Sequence, residues 1–439
     1  MSNEALVIYC VRTTSRIEYI FSTLLSAIGI TNYRFTNDIS HFKNLSQPKL
    51  NYSQNRLAPG ELFINSVDLL FENQLRQQVF DLFSFYETRA FCKTSGGNFP
   101  FDIFASSFYL LSRYEEYLPY KPDIYGRFGH TNALAYREGF LKVPAVNIWL
   151  QHFENVLLNK FPSLQHEPSA FRFLPTYDID IAWSYRNKGL LRHAGGVIKS
   201  AFSRDWATIK ERVSVVAGRQ QDPFDSYNWL NKMHDEYNLK PVYFFLVAKR
   251  NRRYDKHILP SKHDLQQLIR QHADKYDVGI HPSWQSGDEG ELVEEEIRLL
   301  KHLSGKEIYR SRQHYIRLKL PETYRKLIEL GITEDYSMGY GSINGFRASY
   351  CLPYKWYDLQ KEETTSLTIF PFCYMDANSY YEQQYSCEKA IEEMRHYYEV
   401  TKGVKGLLIT VWHNHFLGTN KMFMGWREVY KQSIEKMNG

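Results

Sequence analysis

The sequence predicts an α/β fold in two parts, an N-terminal α/β domain and a C-terminal distorted (β/α) barrel. The 439 residues exceed what one hydrophobic core usually serves. After about residue 170, strand-like and helix-like segments alternate, which favours a parallel sheet closed or partly closed as a barrel. The segment 161–168 is typical of a linker and separates two different patterns. We therefore place the domains at 1–165 and 166–439.

The first part begins with a strand and a capped helix. An apolar strand ends at Cys10, and Ser15, with a glutamate three positions later, has the spacing of a capping box. Apolar residues then recur every three or four positions until Gly29, which ends the helix. Further helices are predicted at about 102–117 and from Pro144 onward.

The second part supplies the alternation that a barrel requires. Strands are predicted at 171–178, 242–247, 277–281, 308–313, 332–335, 366–374 and 406–412. Helices are predicted at about 225–237, 263–275, 290–303, 321–330, 384–401 and 424–437. In a barrel, the carboxyl ends of the parallel strands meet at one mouth, where the chemistry is done.

Composition argues against several classes of protein. The net charge of +5 is small for this length, and Lys and Arg are spread along the chain, so we expect no nucleic-acid partner. The longest apolar stretches are far shorter than the roughly 18 residues of a membrane helix. The N-terminus lacks the pattern of a signal peptide, so we expect a cytoplasmic protein. The five cysteines show no Cys-x-x-Cys spacing and are expected to be reduced.

The strand predicted at 171–178 ends in two acids. Asp178 and Asp180 are two positions apart, so their side chains point to the same side of the strand. At the carboxyl end of a barrel strand, such a pair is a candidate for a carboxylate base beside a metal-binding carboxylate. The alternative is a pair of solvated acids that cap the next helix.

Histidine or arginine follows three other predicted strands. His281 ends one strand, Arg312 and His314 end the next, and His413 and His415 end the last. A single histidine at a strand end is generally a hydrogen-bonded structural residue. Several such strand ends favour a functional site, because a barrel brings them to one mouth.

These strand ends resemble the motifs of the polysaccharide deacetylases with a NodB-homology domain. Thr176-Tyr-Asp-Ile-Asp180 resembles the first motif of that family, Arg312-Gln-His-Tyr315 the third, and Val411-Trp-His413 the last. The resemblance covers about residues 171–415. It implies a metal-dependent enzyme on a distorted β/α barrel. It also implies that Asp178 is the base and that Asp180 and His281 bind the metal.

The second motif departs from the family. His281-Pro-Ser-Trp-Gln285 keeps the first histidine of His-Ser/Thr-x-x-His but has Gln at the second. His314 stands where the family has Pro, one strand later, and adjacent strand ends lie roughly 5 Å apart. We therefore predict that His314 is the third metal ligand. The alternatives are that Gln285 coordinates the metal through its amide oxygen, or that His314 stacks in the loop and the metal is weakly held.

The resemblance implies removal of an acetyl group, N- or O-linked, from a sugar of a glycan or glycan precursor. Zinc is the expected metal, with cobalt, nickel and manganese as alternatives. Asp178 takes a proton from water, Arg312 orients Asp178, and His413 protonates the leaving group, a role for which His415 competes. The rival hypothesis, motivated by Gln285, is a barrel that has lost catalysis and binds glycans or serves in assembly. The aromatic content of 16% fits a carbohydrate site.

Other features of the sequence are weaker indications of function. The glycines at Gly339-Tyr-Gly341 resemble a phosphate loop only superficially, and there is no Gly-x-Ser-x-Gly elbow. The basic run 249–253 forms a solvated loop or attracts an anionic substrate group. Asp335 and Arg347 face the site or belong to structural ion pairs. The N-terminal region, with Arg-Tyr-Glu-Glu-Tyr117, resembles an accessory domain of a Bacteroidetes-type subgroup.

Overall fold

The computed structural model describes residues 5–167 and 169–438. Pro168, at the end of the predicted linker, lies outside the described residues. In the described N-terminal part, four parallel strands form a sheet in the order β2-β1-β3-β4. The strands are β1 (Leu6–Cys10), β2 (Tyr33–Thr36), β3 (Lys49–Ser53) and β4 (Leu62–Asn65), and a separate hairpin consists of β5 (Phe83–Phe85) and β6 (Thr88–Ala90). The helices are α1 (Ser15–Ala27), α2 (Ile39–Asn44), α3 (Ile103–Leu111), α4 (Leu134–Arg137) and α5 (Ala145–Lys160).

The start of α1 and the end of α3 differ from the predicted positions. The side chain of Thr14, not Ser15, caps α1 by accepting from the backbone N–H of Ile17 at 3.2 Å. The helix predicted at 102–117 ends at Leu111, because Arg113 has a left-handed backbone with φ of 56°. A 3₁₀ turn continues the chain to Tyr117.

Across the described residues of the C-terminal part, a nine-stranded sheet runs in the order β12-β13-β11-β10-β9-β8-β7-β15-β14. Its strands are β7 (Arg172–Ile179), β8 (Val242–Phe245), β9 (Asp277–Ile280), β10 (Arg310–Ser311), β11 (Glu334–Asp335), β12 (Tyr354–Asp358), β13 (Glu363–Ile369), β14 (Tyr374–Met375) and β15 (Leu407–His413). All neighbouring pairs are parallel except β12 with β13. The helices are α6 (Leu190–Phe202), α7 (Trp206–Val216), α8 (Tyr227–Glu236), α9 (His263–Lys275), α10 (Gly290–Ser304), α11 (Glu322–Glu329), α12 (Cys387–Gly403) and α13 (Trp426–Asn438). Each of these helices stays below the length and apolarity needed to cross a membrane.

The strand predicted at 366–374 is two strands at different places in the sheet. β13 pairs with β11, whereas β14 pairs with β15 at the other end of the strand order. Pro371 lies between them, and a proline cannot donate to a strand ladder. The strand β12 and the helices α6 and α7 were not predicted from the sequence.

The first and last predicted strands of the second part, β7 and β15, are direct neighbours. They pair in parallel over seven positions, and His413 is the register partner of Asp178. Alternate side chains of β15, together with Leu174 of β7, face one apolar cluster. Its buried members include Val242, Phe244, Tyr336, Phe372, Leu407, Ile409 and Val411. Asp178 and His413 follow this cluster along their strands, so the polar groups lie at the carboxyl edge of the sheet.

Buried ion pairs connect the two parts of the chain. Arg347 donates to both carboxylate oxygens of Glu116, at 2.9 and 2.5 Å, and both side chains are buried. Arg347 is therefore a structural ion-pair member. Asp335 is structural too, because it accepts hydrogen bonds from the hydroxyls of Ser311 and Ser337 at 2.6 and 2.9 Å. These bonds fix the ends of β10 and β11 beneath the candidate site.

Candidate metal centre and active site

Asp178 lies at the end of β7, where Arg312 holds one of its oxygens. Nη1 of Arg312 donates to Oδ1 of Asp178 at 2.9 Å, and Nε donates to the carbonyl oxygen of Tyr336 at 3.0 Å. Arg312 is fully buried, and its guanidinium carbon lies 4.5 Å from the centre of the Phe244 ring. This arginine fixes the orientation of the carboxylate and leaves Oδ2 facing His281, 3.8 Å from its Nε2.

Three candidate metal ligands converge beside Asp178. One ligand atom from each of Asp180, His281 and His314 lies within 4.8 Å of the other two. Nε2 of His281 lies 3.1 Å from Oδ1 of Asp180, and Nε2 of His314 lies 3.7 Å from Oδ2. Within residues 5–167 and 169–438, no other group of three His, Cys, Asp or Glu side chains has this spacing.

The surroundings of this group fit a metal ion. Nδ1 of His281 lies 2.6 Å from the carbonyl oxygen of Arg312. Because a carbonyl only accepts, Nδ1 carries a proton, and Nε2 is left to face Asp180. Oδ1 of Asp180, 3.1 Å from Nε2, is buried and has no hydrogen-bond partner among the described residues. A buried carboxylate oxygen of this kind, beside an imidazole nitrogen, suits a bound cation.

Asp255, in the loop between β8 and α9, orients His314. Nδ1 of His314 lies 3.0 Å from Oδ1 of Asp255, and the same carboxylate accepts from the backbone N–H groups of Trp284 and Gln285. Burial lowers the pKa of His314, but the carboxylates of Asp180 and Asp255 outweigh burial and raise it to about 9. A metal ion that binds here must therefore displace a proton from His314.

His413 ends β15 and is held by Asp376, which follows β14. Nδ1 of His413 lies 2.6 Å from Oδ1 of Asp376, and the backbone N–H of His413 donates to Oδ2 at 2.8 Å. Burial lowers the pKa of His413, but Asp376, followed by Asp180 and Asp178, raises it to about 10. Nε2 lies 3.7 Å from Oδ2 of Asp180. His413 therefore holds a proton at Nε2 beside the three candidate ligands.

His415, the alternative acid, and Gln285, the alternative metal ligand, are placed less favourably for these roles. Nδ1 of His415 is buried without a hydrogen-bond partner in the described part of the chain, and burial lowers the pKa of this residue to about 3. His415 is therefore neutral, and no carboxylate within residues 5–167 and 169–438 is hydrogen-bonded to its Nδ1. Nε2 of Gln285 donates to the carbonyl oxygen of Arg250 at 3.1 Å, and Gln285 lines a different depression. The structure brings His314, not Gln285, next to Asp180 and His281.

A cavity of about 180 Å³ lies over these groups. Its wall includes Asp178, Asp180, His281, His314 and His413. The N-terminal part contributes Arg127, whose Nε donates to Asp123 at 2.7 Å and whose Nη1 donates to the carbonyl oxygen of Tyr315. A Cβ atom at Gly341 would lie 2.1 Å from Nη1 of Arg127. The second glycine of the Gly339-Tyr-Gly341 motif thus leaves room for a guanidinium.

Beside His314 lies an aromatic cluster that both parts of the chain build. It consists of Tyr125, Tyr254, Trp284 and Tyr315. The rings of Tyr254 and Trp284 are 4.3 Å apart, and the Tyr315 ring lies 5.5 Å from that of Tyr125. Tyr315 also lines the cavity. The cluster therefore places one of its rings, that of Tyr315, at the cavity wall.

Sequence reasoning missed three residues of this arrangement. Asp376 follows an apolar run in the same way as Asp178 does, so a signal for it was present. Asp255 lies within a loop of mixed charge after the basic run 249–253, and no motif singles it out. Arg127 belongs to the segment 118–142, which lacks a clean period, and its approach to the cavity depends on how the two parts pack.

Comparison with known proteins gives matches of two kinds. A family model described as a family of unknown function, DUF7033, matches residues 6–162. No curated protein matches the chain.

Solved structures similar to this chain include two proteins named as polysaccharide deacetylases. One, from Mycobacterium smegmatis, has 15% identity and a TM-score of 0.40, with 63% of this chain and 87% of that chain covered. The other, from Pseudomonas aeruginosa, has 13% identity and a TM-score of 0.39, with 62% and 89% covered. A 4-alpha-glucanotransferase from Thermococcus litoralis has 14% identity and a TM-score of 0.35, with 62% of this chain and 37% of that chain covered.

Proposed function

We propose that this protein is a metal-dependent hydrolase that removes an acetyl group from a sugar of a glycan or glycan precursor. One observation carries the proposal. Around a single cavity, two histidines and a carboxylate with ligand spacing lie beside a carboxylate held by arginine and a histidine held by aspartate. This combination supplies a metal site, a base and an acid, the groups that hydrolysis of an amide or ester requires.

Asp180, His281 and His314 would hold the metal. Two imidazole nitrogens and one carboxylate oxygen form a donor set that suits zinc in catalytic sites, and cobalt, nickel or manganese can take the same donors. When bound, such a cation supplies Lewis-acid activation of water and of the substrate carbonyl. Asp255 orients His314 through its Nδ1, and the carbonyl oxygen of Arg312 orients His281 in the same way.

Asp178 and His413 would move the protons. Oδ1 of Asp178 is engaged by Arg312, so Oδ2 accepts the proton of the attacking water. His413, with Nδ1 held by Asp376, donates its Nε2 proton to the nitrogen or oxygen that leaves the acetyl group. Because His413 and Asp178 are register partners on adjacent strands, base and acid face one substrate.

Two further features support a substrate that carries a small acyl group on a sugar. The cavity of about 180 Å³ over the candidate ligands has room for a small group such as acetyl. The aromatic cluster offers ring faces of the kind on which sugar rings stack.

The proposal is tested by release of acetate from a panel of N- and O-acetylated oligosaccharides, with the protein loaded with zinc. We expect acetate release by the native protein and none by Asp178→Asn, which keeps all three candidate metal ligands. Fully loaded native protein that binds glycans but releases no acetate would instead support the rival, a glycan-binding protein without catalysis. A cytoplasmic location stays a prediction.

We also propose that the C-terminal sheet is a distorted (β/α) barrel. Ile369 lies in β13, next to one end of the strand order, and Tyr374 lies in β14, at the other end. Five residues span at most about 18 Å, so the link between them supports a strongly curved sheet. The division into 1–165 and 166–439 is likewise proposed, and the family match to residues 6–162 supports it.

A further inference from the structure

The helices α6 and α7 form a hairpin with large apolar side chains in solvent. Five such residues are exposed to more than half of their surface: Ile198 (56%), Phe202 (87%), Trp206 (67%), Val213 (56%) and Val216 (55%). Isolated exposed apolar residues are ordinary, but a contiguous group marks an interaction surface. This hairpin therefore has an unpartnered apolar side.

The exposed residues share one side of each helix. Trp206, Val213 and Val216 are spaced by seven and three positions, and Ile198 and Phe202 by four, which places them in one stripe on each helix. The other side of α7 packs against the rest of the protein. Glu211 accepts from the hydroxyl of Tyr185 at 2.9 Å, and Val215 is buried.

The segment that contains the hairpin is strongly basic. Residues 186–219 contain eight Lys or Arg and two Asp or Glu, a net charge of +6. The whole chain has 54 Lys or Arg and 49 Asp or Glu, a net of +5, so the rest of the chain carries −1. Arg204, Lys210 and Arg219 are exposed. Arg204, Lys210 and Arg219 thus place positive charge at the turn and on or beside α7, which carries exposed apolar side chains.

The hairpin emerges at the edge of the sheet that bears the candidate active site. It follows Asp180, which lies directly after β7. Hydrogen bonds from Thr208 and, to a smaller extent, the charge of Lys421 lower the pKa of Asp205, so Lys421 lies near the turn between the helices. Met422 and Met424, in the loop that follows β15, are exposed as well. Two loops at this edge thus present apolar and basic side chains together.

We propose that the α6–α7 hairpin docks this protein on a membrane surface that contains anionic lipids. Amphipathic helices with Trp and Phe on one side and Lys or Arg beside them lie in the membrane interface, where apolar side chains enter the acyl boundary and cations face the headgroups. A nucleic acid would match the charge but would leave the apolar stripes exposed. Docking through this edge turns the cavity toward the membrane and gives access to glycans carried on its surface.

Vesicle flotation with the full chain tests the proposal. Vesicles of phosphatidylcholine alone are compared with vesicles that also contain phosphatidylglycerol. We expect binding to the anionic vesicles that weakens as salt is raised, and little binding to the neutral ones. The pair Arg204→Gln and Lys210→Gln removes two charges worth about 1 kcal/mol each and lowers the affinity about thirty-fold.

The apolar side is tested by Phe202→Ser with Trp206→Ser. Both residues are exposed, so the variant keeps the thermal midpoint of the native protein, and its vesicle affinity falls at least tenfold. Val79→Ser, at an exposed position outside the hairpin, is the matched control and binds as the native protein does. The proposal is overturned if native protein does not float with anionic vesicles at low salt. It is equally overturned if binding survives the loss of Phe202 and Trp206, or if double-stranded DNA displaces the vesicles.

Discussion

Asp376 holds His413 by two hydrogen bonds, one to the imidazole Nδ1 and one to the backbone N–H. We expect Asp376→Asn to lower the rate of acetyl hydrolysis by a factor on the order of 10²–10⁴, because the histidine loses its orientation and its charge partner. Asp376 is the main cause of the raised pKa of His413, which is about 10. Without it, the proton is lost at lower pH, and the alkaline limb of the pH–rate profile moves to lower pH.

The control for this variant is His415→Gln, at the neighbouring histidine that no carboxylate orients. The alkaline limb of the pH–rate profile of this variant should coincide with that of the native protein. A profile that moves with His415→Gln and not with Asp376→Asn would assign the acid role to His415.

The third metal ligand is tested by measuring zinc affinity of His314→Ala and Gln285→Ala side by side. We expect the His314 variant to lose metal in competition with a chelator and the Gln285 variant to keep it, because Gln285 faces Arg250 and not Asp180. Asp255→Asn should weaken zinc binding by about 10- to 100-fold, as loss of an outer hydrogen-bond partner does. Loss of metal in the Gln285 variant alone would show the ligand assignment to be wrong.

Metal affinity should depend on pH in a defined direction. The pKa of His314 in the metal-free protein is raised to about 9, so below that pH zinc competes with a proton. Zinc affinity is therefore expected to rise as the pH increases from about 6.5 to 9. The stability of the metal-free protein should depend on pH in the opposite direction. The charged His314 stabilises the fold fully below the unfolded pKa of about 6.5, and this stabilisation is lost as the pH rises through about 9.

Denaturant unfolding of the metal-free protein and chelator competition, both across this pH range, measure the two effects. His314→Gln should flatten both dependences. A zinc affinity that does not change between pH 6.5 and 9 contradicts the prediction.

Variants of Arg127 measure how much the N-terminal part contributes to catalytic activity. Arg127→Ala removes a hydrogen bond from a charged group to the backbone of Tyr315, next to His314, and should lower kcat/KM by about one to two orders of magnitude. Gly341→Ala should act through the same contact, because its Cβ would collide with the guanidinium. The double variant is therefore expected to be no worse than Arg127→Ala alone. Arg137→Ala, at an exposed position of the N-terminal part, is the control. Additive losses would mean that the two positions act separately.

Glu116 should be among the residues most important for stability. It pairs with Arg347 and with Arg113, all three buried, so Glu116→Ala leaves two guanidinium groups without their carboxylate. We expect a loss of about 3–5 kcal/mol in the free energy of unfolding. Glu392→Ala breaks an exposed pair with Lys389 and should leave the free energy of unfolding nearly unchanged. Equal losses in the two variants, measured by urea unfolding, would contradict the structural role of Glu116.

The sequence predicted those features that depend on local pattern. The alternation on β7 placed Asp178 and Asp180 on one side, and the apolar run before His413 predicted the strand that pairs with β7. The position of His314 in the chain was enough to place it near His281, because both follow adjacent strands. The ligand roles of these residues stay predictions.

Features that depend on packing could not be predicted in this way. A strand of two residues, such as β14, leaves too short a pattern to be separated from β13. Asp255 acts from a loop whose path is fixed by backbone N–H groups of Trp284 and Gln285, contacts that no periodicity encodes.

The pairing of β15 with β7 also sets the order in which the site forms during synthesis. Thr176 and Thr410, which bond across this pair, are 234 positions apart. At about 5–20 residues per second, a ribosome needs roughly 10 to 50 seconds to add that length of chain. Throughout this interval one edge of β7 lacks its partner strand and is open to pairing with other nascent chains. Asp178 and His413, register partners in this pair, therefore come together only late in translation.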